Sequence, residues 1–347
     1  MKSKTMFVIV WFICGSVFTH AQAPPQGQPP SVQDRLPREV TAPGIPGVIA
    51  AGAKWQQVWQ GASTDNADGI VGTPDGGLLF AQEQANTIRK LDKNDYDSAY
   101  VKDTHGAGSA AIDSQGRVIA AQRACTLPEK PNLPCSDPPK VAIVYPEKER
   151  KVLADNYQGK LLGRLSEAMV GKNGTVYFIP QEGGAYYVKP GGQATRIDDS
   201  SINNVHVTGI MLSPDEKTFY AGTGKEVLAF DLQPDGTVKN RRQFGTIEGG
   251  SGNSMAIDAA GRLYVTSGGF GIQVFSPEGK HLGAIPTPRN VASLAFSGPD
   301  KKTLYMVGGG ALAPNGRDLM LAEGFRNNAK TIYKIPMLAQ GYQGRAK

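Results

Sequence analysis

Short runs of Val, Ile, Leu, Phe and Tyr recur along the chain, each cut off by a turn signal such as Pro74-Asp75-Gly76, Gln115-Gly116, Asn173-Gly174 or Pro214-Asp215-Glu216. No long segment carries apolar residues at a 3.6-residue period, so the pattern predicts an all-β chain built from hairpins. Three stretches repeat one another closely: "IVGTPDGGLLFAQEQANTIRKLDKND", "IMLSPDEKTFYAGTGKEVLAFDLQPDG" and "MAIDAAGRLYVTSGGFGIQVFSPEGK". Aligned on the first hairpin turn, the units fall at Gly76, Gly116, Gly174, Glu216, Gly261 and Lys301, at intervals of 40, 58, 42, 45 and 40 residues. A four-stranded meander of that length cannot bury both of its faces alone. Six arranged radially can, which predicts a six-bladed β-propeller. Ahead of the first unit, "KWQQVWQG" (Lys54 to Gly61) has no hairpin partner nearby. It is expected to close the last blade as its outer strand, with Trp55 to Gln60 beside Thr331 to Pro336.

Counting eight residues back from each turn reaches the start of each inner strand, at Asp68, Gly108, Ser166, Thr208, Asn253 and Ser293. All are small or polar where their strand neighbours are apolar. Oxygen-bearing side chains converging on one axis suit a hard cation or a polyhydroxylated ligand. Small residues are also what six strands crowding an axis require, and polar ones hydrate a channel mouth.

The two ends of the chain add domains to this picture. Lys2 and Lys4 precede an uncharged, mostly apolar run from Thr5 to Thr19, which reads as a secretory signal cleaved after Ala21. The run is shorter than the ~20 residues a membrane span needs. Residues 22–51 are Pro-rich and read as an arm or linker, and residues 52–340 as the propeller. Removing the leader takes the formal charge from +6 to +4, and the charged runs mix both signs, which argues against a nucleic-acid partner. The mature chain keeps Cys125 and Cys135, and an exported protein would bridge them; a metal pair is the other reading, without neighbouring ligands to complete it. The expected location is the periplasm or the medium.

From Gly69 to Met337 the sequence resembles the senescence-marker-protein/gluconolactonase/luciferin-regenerating-enzyme-like family of six-bladed propeller lactonases. The resemblance rests on "VLADNYQGKLLGRLSEAMVGKNGTVYF", "GIMLSPDEKTFYAGT" with "VLAFDLQPDGTVKNRRQF", and "MAIDAAGRLYVTSGGFGIQVFSPEGKHLGAI". It implies a divalent cation, calcium or zinc, acting as a Lewis acid on a lactone carbonyl, with a carboxylate as base toward water. The implied positions are all substituted. Asp68 stands for a Glu and Gly108 for an Asn; Ser166-Glu167 stands for Asn-Asp, Thr208 for an Asn, and Asn253 for the Asp that serves as ligand and base. The metal candidates are therefore Asp68, Thr208 and Asn253, with one carboxylate left where the family has two. Binding should be severely weakened unless Glu167 turns inward.

Two functions of different class follow. One is hydrolysis of a sugar lactone or related cyclic ester at a rebuilt site, with Glu167, Asn253 and His206 as catalytic candidates and His105, Arg123, Arg164, Ser166 and Ser293 as substrate contacts. His105 and His206 precede inner strands and read in the first place as solvated loop histidines. The other is a propeller that has lost catalysis and binds a carbohydrate-like ligand or a protein partner at the same face; a metal-free, strictosidine-synthase-like chemistry is a distant third. Insertions at Arg123 to Lys140 and Gly308 to Lys330 separate second and third strands and are expected to wall that face.

Overall fold

The repeating hairpins close into a ring. The computed structural model describes residues 37–345 except 62–66, 124–136, 182, 198–201, 203–205, 251, 269–270 and 312–329. The described residues form six four-stranded antiparallel sheets, here blades 1 to 6. Their inner strands are Ile70–Gly72, Ala107–Ile112, Leu165–Val170, Gly209–Leu212, Met255–Ile257 and Val291–Ser297. Each inner strand lies against that of the next blade, and the sixth returns to the first. The closing strand Gln56–Gln60 pairs with Lys330–Pro336 and completes blade 6, as its lack of a nearby hairpin partner predicts.

Turn chemistry explains the hairpins. The six turn residues used to align the units all have positive φ, which Gly76, Gly116, Gly174 and Gly261 accept without cost; Glu216 (φ 57) and Lys301 (φ 53) adopt it despite carrying a Cβ. In every blade an Asp or Asn side-chain oxygen accepts the amide two residues on: Asp75 from Gly77, Asp113 from Gln115, Asn173 from Thr175, Asp215 from Lys217, Asp258 from Ala260, and Asp300 from Lys302. These turns line the face opposite the inner-strand starts.

Apolar side chains fill the wedges between blades. One cluster joins Tyr177, Phe219, Phe230 and Phe275 across blades 3 to 5, and another joins Tyr264, Ile285, Leu294 and Phe296 across blades 5 and 6. The described part of the Pro-rich segment packs into the second cluster through Ala42, Ile45, Val48 and Ile49, all buried. The end of the described chain crosses the turn face. Arg345 is buried there, donating to Glu216 Oε1 at 2.9 Å and to the Leu212 carbonyl at 2.6 Å, while Lys301 Nζ donates to the carbonyls of Tyr342 (2.8 Å) and Arg345 (2.7 Å).

Candidate functional site

The inner-strand starts carry two rows of residues with different duties. The row one step inside the mouth stitches neighbouring blades together. Ser109 Oγ accepts from the Ala168 amide (3.3 Å), Glu167 Oε2 from Ile210 (3.1 Å), Ser254 Oγ from Leu294 (3.4 Å) and Ser293 Oγ from Ile70 (3.2 Å). Glu167 is buried, and this bond directs that carboxylate oxygen to the boundary of blades 3 and 4. Ser293 therefore belongs to the stitching row and not to the mouth. The inner strand of blade 6 holds five paired residues from its bulge to its turn, Ser293 to Ser297, where blade 2 holds four, Ser109 to Ile112. Counting eight back consequently lands one residue too deep, and Ala292 takes the bulge position that Gly108 and Ser166 hold elsewhere.

At the mouth itself stand Asp68 and Ser166, both half-buried, Thr208, whose Oγ1 donates to the Gly252 carbonyl at 3.0 Å, and the exposed Asn253. His206 is exposed two residues before Thr208. His105 is also exposed and pairs through Nδ1 with Asp137, which also takes Lys140, so it is tied to the start of the third strand of blade 2.

The dominant feature of the mouth is a guanidinium. Arg123, directly after the second strand of blade 2, turns back over Gly108 and is 5% exposed. Its Nη1 donates to Asp68 Oδ2 (2.6 Å) and to Glu83 Oε2 (3.0 Å), its Nε to the Leu165 carbonyl (2.7 Å) and its Nη2 to the Ser166 carbonyl (3.3 Å). Burial pushes this guanidinium toward losing its proton, and the Asp68 and Glu83 carboxylates more than reverse that, so Arg123 stays cationic. Arg164 clasps the same Glu83 with two bonds, Nη1 to Oε1 at 2.6 Å and Nη2 to Oε2 at 2.7 Å. Glu83 is 5% exposed and is the residue that sequence reasoning missed. A signal existed: "AQE" at Ala81-Gln82-Glu83 and "AQR" at Ala121-Gln122-Arg123 end the same strand of adjacent blades with opposite charges.

A family model for the SMP-30/gluconolactonase/LRE-like region matches residues 67–309. The chain belongs to this family. This family member is 27% identical over 188 residues to a gluconolactonase of Zymomonas mobilis, an alignment that covers 46% of the chain and spans about half, 52%, of that relative's length. It superposes on a gluconolactonase of Xanthomonas campestris with a TM-score of 0.65 at 19% identity, covering 87% of this chain and 94% of the other. It also superposes on a calcium-binding protein, regucalcin, of Agrobacterium tumefaciens with a TM-score of 0.60 at 15% identity, covering 83% and 96%. At those identities the two superpositions show the fold.

The residues present do not fit a divalent ion at the position the resemblance implies. Asp68 is held through Oδ2 by Arg123, and Thr208 and Asn253 bring only neutral groups with no charge to balance a divalent ion. Among the described residues no group of three or more His, Cys, Asp or Glu side chains is placed to hold a metal. Both cysteines, Cys125 and Cys135, lie outside the described residues, as does the leader.

Proposed function

We propose that this family member is an exported hydrolase of a sugar lactone or related cyclic ester, acting at the channel mouth through its own charged side chains. The observation that carries the reading is the cluster of Asp68, Arg123, Glu83 and Arg164, where a partly exposed carboxylate stands beside a fixed positive charge. Asp68, with 27% of its side chain exposed, is the group placed to take a proton from water as the water oxygen attacks the ester carbonyl. The guanidinium charges favour the negative charge that develops on the carbonyl oxygen. The ring C–O bond then breaks, the proton passes from Asp68 to the leaving alkoxide, and an open-chain hydroxy acid departs. Thr208, Ser166 and the exposed Asn253 offer neutral polar groups to the hydroxyls of a sugar ring.

The test is hydrolysis of a panel of sugar γ- and δ-lactones by the purified chain, followed as acid release. Asp68→Asn should lower kcat by roughly 10²-fold or more with the circular dichroism spectrum unchanged. A second reading, a non-catalytic propeller that binds a carbohydrate-like ligand, is favoured by one observation, the pairing of Asp68 to Arg123, which engages one of that carboxylate's oxygens. Absence of turnover on every lactone, with saturable sugar binding, would establish it.

A further inference from the structure

We propose that the Arg123 guanidinium is the resident cation of the channel mouth, occupying through its own side chain the place beside Asp68 that a divalent ion would otherwise take. Three features of the fold support this. The first is space. A Cβ on Gly108 would lie 2.0 Å from Cζ and Nε of Arg123 and 2.5 Å from Nη1, so only glycine lets the guanidinium lie across the inner strand of blade 2. The resemblance places an asparagine at this position, and an asparagine and this guanidinium are mutually exclusive. The second is the donor set. Four oxygens converge on Arg123: Asp68 Oδ2, Glu83 Oε2, and the carbonyls of Leu165 and Ser166. That mixture of carboxylate oxygens from blade 1 and carbonyl oxygens from blade 3 is what a hard cation seeks. Here a planar cation that carries only donors takes it instead.

The third is charge. Asp68 and Glu83 are matched by Arg123 and Arg164, so the cluster is already neutral, and a divalent ion entering it would face a fixed guanidinium that cannot deprotonate. The substitutions that remove metal ligands from the mouth are thus coordinated. Loss of the side chain at Gly108 makes room for Arg123, and the shorter Asp68 meets it at 2.6 Å. This inference concerns what balances the charge of the mouth and stands whether or not the chain hydrolyses lactones.

The experiment is a calorimetric and thermal-shift titration of the full purified chain with calcium and, separately, zinc. The natural protein should show no saturable binding that depends on Asp68. Arg123→Ala vacates the four oxygens, and Gly108→Ala expels the guanidinium while leaving it in the chain. Both variants should bind calcium at least tenfold more tightly than the natural protein and lose the gain when Asp68→Asn is added. Arg123→Lys, which keeps a charge, should show no gain, and millimolar methylguanidinium should compete with calcium in Arg123→Ala. Tight binding by the natural protein that Asp68→Asn abolishes would overturn the proposal, as would folded Arg123→Ala and Gly108→Ala proteins with no gain. Should neither variant fold, the comparison of the natural protein with Asp68→Asn decides: Asp68-dependent binding refutes the proposal and its absence upholds it.

Discussion

The amide of Ile70, in the inner strand of blade 1, donates to Oγ of Ser293 in blade 6 at 3.2 Å, across 223 residues of sequence. Both groups are buried, so the bond has no water to replace it. Ser293→Ala should leave that N–H unpaired and lower the stability by about 1–3 kcal/mol. Urea unfolding should show the midpoint falling with the slope unchanged.

Gly72 makes the neighbouring contact between the same two blades. A Cβ there would stand 2.2 Å from the Phe296 carbonyl oxygen, so Gly72→Ala must push the two inner strands apart. The expected loss is about 1–3 kcal/mol, the usual cost of overfilling a packed interior. Gly309→Ala, with nothing within reach of the added methyl, is the control and should leave the melting temperature nearly unchanged.

Of the six inner turns, the two without glycine at the positive-φ position are the two whose side chains hold the end of the chain, Glu216 through Arg345 and Lys301 through two carbonyls. Glycine would relax the backbone at Glu216 by roughly 1 kcal/mol. Removing the carboxylate from buried Arg345 costs about 3 kcal/mol or more. Glu216→Gly should therefore be destabilising on balance, and Arg345→Ala similarly so, both read as lowered melting temperatures.

Lys301 gives a pH dependence. Burial, assisted by the charge of Arg345, pushes its ammonium down to about 8 from an ordinary 10.5. The folded protein gives up this proton before the unfolded chain does. The lysine's contribution is thus least favourable below pH 8 and improves as the pH rises from about 8 toward 10.5. The stability of the natural protein relative to Lys301→Met should increase between pH 7.5 and pH 9.5; a flat difference would count against the assignment.

The propeller was legible because its signals are local. A turn needs positive φ and an Asp or Asn to cap an amide two residues on, and both are written in five or six consecutive letters, as at Pro74-Asp75-Gly76. The mouth was legible only in part. Its positions follow from strand count, but a one-residue difference in strand length moved Ser293 out of it. Which groups pair there depends on three blades meeting, and no local pattern announces that Arg123 will reach Asp68 across 55 residues and Glu83 across 40. Glu167 shows the same limit, since the neighbouring blade offered the Ile210 amide to its carboxylate.

The strand Gln56–Gln60 is among the first parts of the fold to be synthesised, and its partner Lys330–Pro336 is among the last. Blades 1 to 5 each carry their four strands in one continuous stretch and can form as they emerge. Blade 6 cannot, because its edge is completed only when Gln56–Gln60 meets Lys330–Pro336. A nascent chain on the ribosome is therefore an open arc with an unpaired sheet edge. The ring becomes a closed object only once Lys330–Pro336 has emerged, and a truncated product lacking that strand would keep the edge exposed to pairing with other chains.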